Sequence, residues 1–157
     1  MQAASESADD EELRRAARET ALGLLARREH SRLELGRKLA QRGYPAALVE
    51  GVLDALGAEG LQSDSRFAES YVYSRSGRGF GPQRIRAELR ERGIDDGLIE
   101  ASLADAGVDW ARLAAEAWHK RFAGRPPADY RERARQQRFM LNRGFTHEQI
   151  QAVFRNE

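Results

Sequence analysis

The chain of 157 residues is 41% hydrophobic, 32% charged and 8% aromatic, with 26 Lys and Arg against 25 Asp and Glu. That composition specifies a soluble folded protein, and the near-neutral total gives no simple reason to bind a polyanion. The absence of cysteine excludes disulfides, thiolate nucleophiles and Cys-ligated zinc and fits a reducing cytoplasm, while the longest apolar stretch, Ala21–Ala26, is far short of the ~20 residues a membrane span needs.

In chain order, residues 1–12 are expected to form an acidic, solvated, flexible lead-in, with Glu6, Asp9, Asp10, Glu11 and Glu12 and no early base, unlike a signal peptide. Three units follow, over residues 13–60, 61–107 and 108–157, each read as three short helices. They align on an Arg-Gly-hydrophobic step: Arg42-Gly43-Tyr44, Arg92-Gly93-Ile94 and Arg143-Gly144-Phe145, with the anchors 50 and 51 residues apart. Five residues beyond each anchor stands Val49, Ile99 or Ile150, and nine beyond stands Leu53, Leu103 or Phe154. Matched columns at a nearly constant period are the mark of a structural repeat.

The first helix of a unit carries apolar residues one turn apart, Phe67 and Tyr71 or Trp118 and Phe122; in the first unit the same positions hold Ala17 and Ala21, which makes that copy the degenerate one. The second helix opens at Ser31 with Glu34 three residues later, or at Pro82 after Gly81, both start signals. Gly43, Gly93 and Gly144 close it, at the position where a positive φ is commonly required. The third helix starts near Pro45, Asp95 or Thr146, the last with Gln149 completing a capping box. β-Branched residues are few and no useful segment alternates, so the expected fold is all-α: three tandem three-helix repeats in an elongated, curved, modular chain. The run Gly77-Arg78-Gly79-Phe80-Gly81 reads as a flexible hinge, since it lacks the ending of a P-loop and follows a helix where a dinucleotide fold needs a strand.

Charge is striped along the chain. Arg66–Arg92 holds seven Arg against three acids, and Arg112–Arg143 nine bases against three acids. Pro45–Asp64 and Ile94–Asp109 hold four and five acids and no base. The third helices of the first two units are therefore acidic, with Glu50 and Asp54 or Asp95, Asp96, Glu100 and Asp105, and phosphate would repel a recognition helix of that kind. Twenty-four of the 26 cations are Arg, whose planar fork fits phosphate and carboxylate; genome composition yields the same excess. The candidate partner-contact residues are Arg75, Arg78, Arg84, Arg86 and Arg90, and the competing reading of that stripe is a solvated helix face paired to nearby acids.

Nothing points to catalysis, a metal or a cofactor. His30, His119 and His147 fall in different units without ligand spacing, and no HExxH is present. Trp110, Trp118, Phe67 and Phe122 are read as core. Tyr73, off the face of Tyr71 and beside Arg75, is the one aromatic kept as a contact residue.

The segment Leu61-Gln62-Ser63-Asp64-Ser65-Arg66-Phe67-Ala68, followed by Tyr71, Arg75, Gly79, Gly81, Ile85, Glu88, Leu89, Arg92, Gly93 and Ile94, resembles the central signature of the RecX family of regulatory proteins, and the flanking copies extend the resemblance from Ala21 to Phe154. The resemblance implies a non-enzymatic modulator of the RecA recombinase. Such a protein binds in the helical groove of the RecA filament on single-stranded DNA and inhibits filament extension, ATP hydrolysis, strand exchange and co-protease activity. Among its signature positions, Asp64 is expected to cap a helix, Phe67 and Ile85 to pack, and Gly93 to turn the chain. A cytoplasmic monomer with weak direct DNA contact and no membrane association is the expectation. Two alternatives stay open: a nucleic-acid-binding helical module acting through the Arg stripes without RecA, and a helical adaptor whose repeats serve only to stack.

Overall fold

The computed structural model describes residues 2–156, and among them the secondary structure is entirely helical. The helices are α1 (Gln2–Arg27), α2 (Arg32–Gln41), α3 (Ala46–Ala58), α4 (Asp64–Gly77), α5 (Pro82–Glu91), α6 (Asp96–Asp105), α7 (Trp110–Phe122), α8 (Tyr130–Arg143) and α9 (His147–Arg155). They divide between two compact units, one ending at Phe67 and including Arg92–Ile94, the other comprising Ala68–Glu91 and everything from Asp95 onward.

The helix boundaries follow local chemistry. Ser31 and Thr146 each form a full capping box, with Glu34 and Gln149 respectively. Asp95 Oδ1 accepts from the Leu98 N–H at 3.0 Å, and Pro45 starts α3 from an extended backbone with no side-chain cap. Gly43, Gly93 and Gly144 have φ of 89°, 79° and 102°, a region open to glycine at little cost. Phe67 and Ile85 are buried as expected. The acidic segment before Leu13, expected to be a flexible lead-in, is instead helical from Gln2 onward as the first turns of α1, and it is solvated as expected, every residue from Ala3 to Ala16 being exposed.

In the first unit α1, α2 and α3 pack on one another. Leu35 and Leu39 stand one turn apart on α2; Leu48, Val49, Val52, Leu53 and Leu56 form a helical stripe on α3; all are buried with Ala17 and Ala21 of α1. Each such Leu or Val contributes about 1.5–3 kcal/mol when buried. Ala17 and Ala21 are completely buried, so the apparently degenerate copy keeps the position of its core residues and changes only their size; Leu22, Leu24 and Leu25 of α1 pack alongside.

The corner between α1 and α2 is polar and closed. Asp64 Oδ1 accepts from the Arg32 N–H at 2.8 Å and from Gln62 Nε2 at 3.0 Å. Asp64 therefore caps a helix, but that helix is α2, whose first N–H groups have no partner of their own, while Ser63 Oγ accepts from the Arg66 N–H of α4. His30 is buried, with Nδ1 3.1 Å from the Arg28 carbonyl oxygen and Nε2 2.9 Å from Lys38 Nζ. A carbonyl accepts and an ammonium donates, so the ring is neutral with its proton on Nδ1. Burial lowers the His30 pKa from its ordinary value, against the raising effect of the Arg28 carbonyl and with Arg28 and Lys38 adding repulsion. Burial pushes Glu34 up, but the Arg28 guanidinium and the Ser31 N–H outweigh it and hold that carboxyl below its usual range.

In the second unit Ala114, Trp118 and Phe122 of α7, Met140 of α8, and Phe145, Ile150 and Val153 at and on α9 form one buried cluster. Trp118 Nε1 donates to Gln136 Oε1 at 2.8 Å, and the buried Gln136 donates onward to the Arg125 carbonyl at 3.1 Å and to Glu132. Trp110, expected in the core, is only half-buried at the start of α7.

The Gly77–Gly81 segment is not a hinge. Arg78 and Gly79 N–H groups bond back to Arg75 and Ser76 carbonyls, and the Phe80 N–H bonds to Arg75 O. The Gly81 N–H donates to Arg143 O at 2.8 Å, and the Gln83 N–H to Gly144 O at 2.9 Å. The two backbones approach so closely that a Cβ on Gly81 would lie 2.5 Å from the Gly144 carbonyl carbon, and one on Gly144 would meet Arg84 Cβ. This glycine-to-glycine contact fastens the start of α5 to the turn between α8 and α9.

Candidate partner-binding surface

The five arginines predicted from the stripe sit on α4 and α5 or the turn between them, in different electrostatic states. Arg75 makes two bonds to Glu88, Nε–Oε1 at 3.0 Å and Nη2–Oε2 at 2.9 Å, and both side chains are only 18% exposed. Such a bidentate, half-buried pair ties α4 to α5. Arg86 bonds Glu100 at 2.6 and 3.1 Å and Gln83 at 2.8 Å, and Arg90 bonds Asp96 at 2.9 Å, so both join α5 to α6. The Arg86 hydrogen bond holds the Glu100 pKa below its ordinary value.

Arg84 and Arg78 differ from these three. Arg84 is 3.9 Å from Glu88 and donates to the Asn142 carbonyl at 3.3 Å, with its side chain 43% exposed. Arg78 is exposed and, among the described residues, has no ion pair or side-chain hydrogen bond. Tyr73, the aromatic singled out as a contact residue, is 83% exposed on α4.

The structure adds residues that stripe reading missed. The Phe80 ring carries three guanidinium groups, those of Arg75 at 4.0 Å, Arg84 at 4.3 Å and Arg143 at 4.8 Å. Cations over a ring face are attracted by its quadrupole, so Phe80 gathers the three guanidinium groups. Arg143 and Arg121 both lie 5.6 Å from the Phe139 ring centre, and Phe139 stands edge-on to Phe122 at 5.4 Å. Glu132 is held below its ordinary pKa, first by the hydrogen bond from Arg135, then by Gln136, with Arg121 adding a smaller attraction. The excess of bases in Arg112–Arg143 was visible in the sequence, but not that Arg121 and Arg143 meet over one ring.

Among the described residues no group of His, Asp or Glu is placed to hold a metal ion, and no helix is long and apolar enough to cross a membrane. The geometry is that of a protein made of three-helix modules with Arg-rich, aromatic-backed surfaces. Sequence models of the RecX first, second and third three-helix domains match residues 17–56, 63–103 and 109–154. The chain is 53% identical over 135 residues to the regulatory protein RecX of Pseudomonas entomophila (strain L48), covering 86% of this chain and 87% of that protein. It is 52% identical over 138 residues to that of Halorhodospira halophila (strain DSM 244 / SL1), covering 88% and 86%. The chain belongs to the RecX family of regulatory proteins. Its fold is similar to a crystal structure of regulatory protein RecX, with TM-score 0.83, 23% identity and coverage of 100% of this chain and 78% of that one. It is also similar to a crystal structure of RecX from Lactobacillus salivarius, with TM-score 0.74, 24% identity and coverage of 95% and 97%.

Proposed function

We propose that this chain is a cytoplasmic, monomeric, non-enzymatic regulator of the RecA recombinase. It seats in the helical groove of the RecA filament on single-stranded DNA and limits filament extension, which lowers ATP hydrolysis, strand exchange and co-protease activity. The observation that supports this reading is the run of all three RecX domains, in order, over residues 17–154. A row of modules of like kind suits a partner that itself repeats, and stripes of both signs suit a protein surface better than bare polyanion.

Partner contact is assigned to Arg75, Arg78, Arg84, Arg86 and Arg90. Arg78 is exposed with no ion pair among the described residues and Arg84 holds only a loose one, to Glu88 at 3.9 Å, whereas Arg75, Arg86 and Arg90 hold the α4–α5–α6 scaffold through closer ion pairs. The test is the single-stranded-DNA-dependent ATPase of the cognate RecA, followed while this protein is titrated in. Inhibition well below one molecule per RecA protomer is expected, and R78A/R84A is expected to weaken it with unchanged helicity. Full ATPase activity at an equimolar ratio would overturn the reading.

A further inference from the structure

Of the 26 cations in the chain only Lys38 and Lys120 are lysines. Among those cations only a lysine offers an amine that an acyl donor converts to an amide, because a guanidinium stays protonated. The two lysines have different surroundings. Lys38 is part-buried in the first unit, where its Nζ donates to His30 Nε2 at 2.9 Å. Lys120 is exposed on α7 and, among the described residues, has no ion pair or side-chain hydrogen bond. It lines an open cleft of about 440 Å³ within the second unit, between the α4–α5 turn, α7 and α8, together with Arg78, Arg121 and Arg143. Among the described residues none of these three arginines makes an ion pair, and Arg121 and Arg143 stack on the Phe139 ring. One acid lies on the rim, Glu116, and Arg112 already engages it at 3.2 Å. Glu132 attracts Arg121 from a distance, but that carboxylate accepts two bonds from Arg135.

The cleft thus holds one amine and three permanent cations. Uncompensated positive charge around a recess raises the local concentration of small anions, and a guanidinium fork matches the oxygens of a phosphate. We propose that Lys120 is a modification site, acylated by a small acyl phosphate whose phosphate group is held by Arg78 and Arg121 with Arg143 behind them. In that step the lone pair of the neutral Lys120 Nζ attacks the acyl carbon. The N–C bond forms, the C–O bond to phosphate breaks with its electron pair leaving on the phosphate, and the proton lost by the nitrogen passes to water. The products are an amide and inorganic phosphate, and the charge that grows on the departing phosphate meets the same guanidinium groups. The amide carries no charge, so the reaction removes one of the four cations of the cleft. The inference goes beyond regulation of RecA, because neither the donor nor the step involves a recombinase. A neutral acyl donor gains nothing from the three arginines, and Lys38, tied to His30, lacks such a cluster.

The test treats the full chain with acetyl phosphate and, in parallel, with the neutral acetyl N-hydroxysuccinimide ester. Each lysine is followed by mass spectrometry after cleavage at glutamate, which leaves Lys38 on the peptide 35–50 and Lys120 on the peptide 117–132. The ratio of the two rates at one lysine cancels the intrinsic reactivity and the accessibility of that amine. In the parent the ratio at Lys120 is expected to exceed that at Lys38 by about tenfold. R78A/R121A is expected to lower the Lys120 ratio by about fivefold to tenfold. R131A/R138A, which removes the same charge from exposed positions of α8 outside the cleft, is expected to stay within about twofold of the parent. Raising the salt from about 0.05 to about 0.5 M is expected to lower the Lys120 ratio of the parent by about threefold or more, a reading that needs no variant, and circular dichroism confirms that each variant is folded. Equal ratios at the two lysines, equal losses in the two double variants, a ratio indifferent to salt, or no acetylation of Lys120 by acetyl phosphate would each overturn the proposal. RecA inhibition is measured separately, so either result leaves the regulatory reading to its own test.

Discussion

Replacing Gly77, Gly79 and Gly81 one at a time by alanine separates three physical effects within five residues. Gly77 ends α4 with helical backbone and open space at the Cβ position, so G77A restricts the unfolded chain and is expected to stabilise by about 0.5–1 kcal/mol. Gly79 has φ of 84° and equally open space, so G79A incurs only the left-handed backbone cost of about 1–2 kcal/mol. At Gly81 the new methyl would overlap the Gly144 carbonyl group and the Phe145 nitrogen at 2.5–2.6 Å. Relief requires parting the two backbones, which breaks the Gly81–Arg143 and Gln83–Gly144 hydrogen bonds. Gly81 and Gly144 are both buried, so each broken bond costs about 1–3 kcal/mol if its groups stay dry, and G81A should destabilise by about 2–5 kcal/mol. Urea unfolding followed by circular dichroism gives the three differences. A midpoint for G81A equal to that of G79A, or above it, would refute the close-approach argument and restore the hinge reading of this stretch.

Three further outcomes follow from the packing. Q136L should destabilise by about 1–3 kcal/mol, because the buried Trp118 N–H loses its acceptor, and a thermal melt with tryptophan fluorescence reads both the loss and the altered indole environment. R75A should cost about 1–3 kcal/mol, since it removes the two-bond partner of the half-buried Glu88 and uncovers one face of Phe80, whereas R90A, from an exposed pair, should stay within about 0.5 kcal/mol in the same urea assay. The folded pKa of His30 lies below its ordinary value of 6.5, so the unfolded chain binds this proton first; stability should fall as pH drops below 6.5, with a slope of at most ~1.4 kcal/mol per pH unit. Urea midpoints between pH 7.5 and 5.5 check this, and H30Q should flatten that part of the profile, while loss from protonating Glu34 sets in only below its ordinary value of 4.5.

The three-helix repeats were legible because they are written in local chemistry. Ser31 with Glu34, Thr146 with Gln149, and the glycines after α2, α5 and α8 are separated by no more than a few residues from the groups they serve, and the periodic apolar columns reported the buried faces directly. The five-arginine set was a weaker reading, since proximity in sequence says which cations share a stretch but not which carboxylates they meet. Glu88, Glu100 and Asp96 answer three of them, and only coordinates distinguish a structural guanidinium from one turned to solvent.

Spacing, capping residues and apolar periodicity settle helix positions and core faces because those depend on interactions within one or two turns. Contacts across tens of residues depend on how finished helices pack. Asp64 caps a helix begun 32 residues earlier, Gly81 needs its missing Cβ because Gly144 lies against it, and Arg78 joins Lys120, Arg121 and Arg143 around Phe139 only after α7 and α8 have closed beside the α4–α5 turn. A residue's type states which partners it accepts, while the packed backbone decides which of them come within reach.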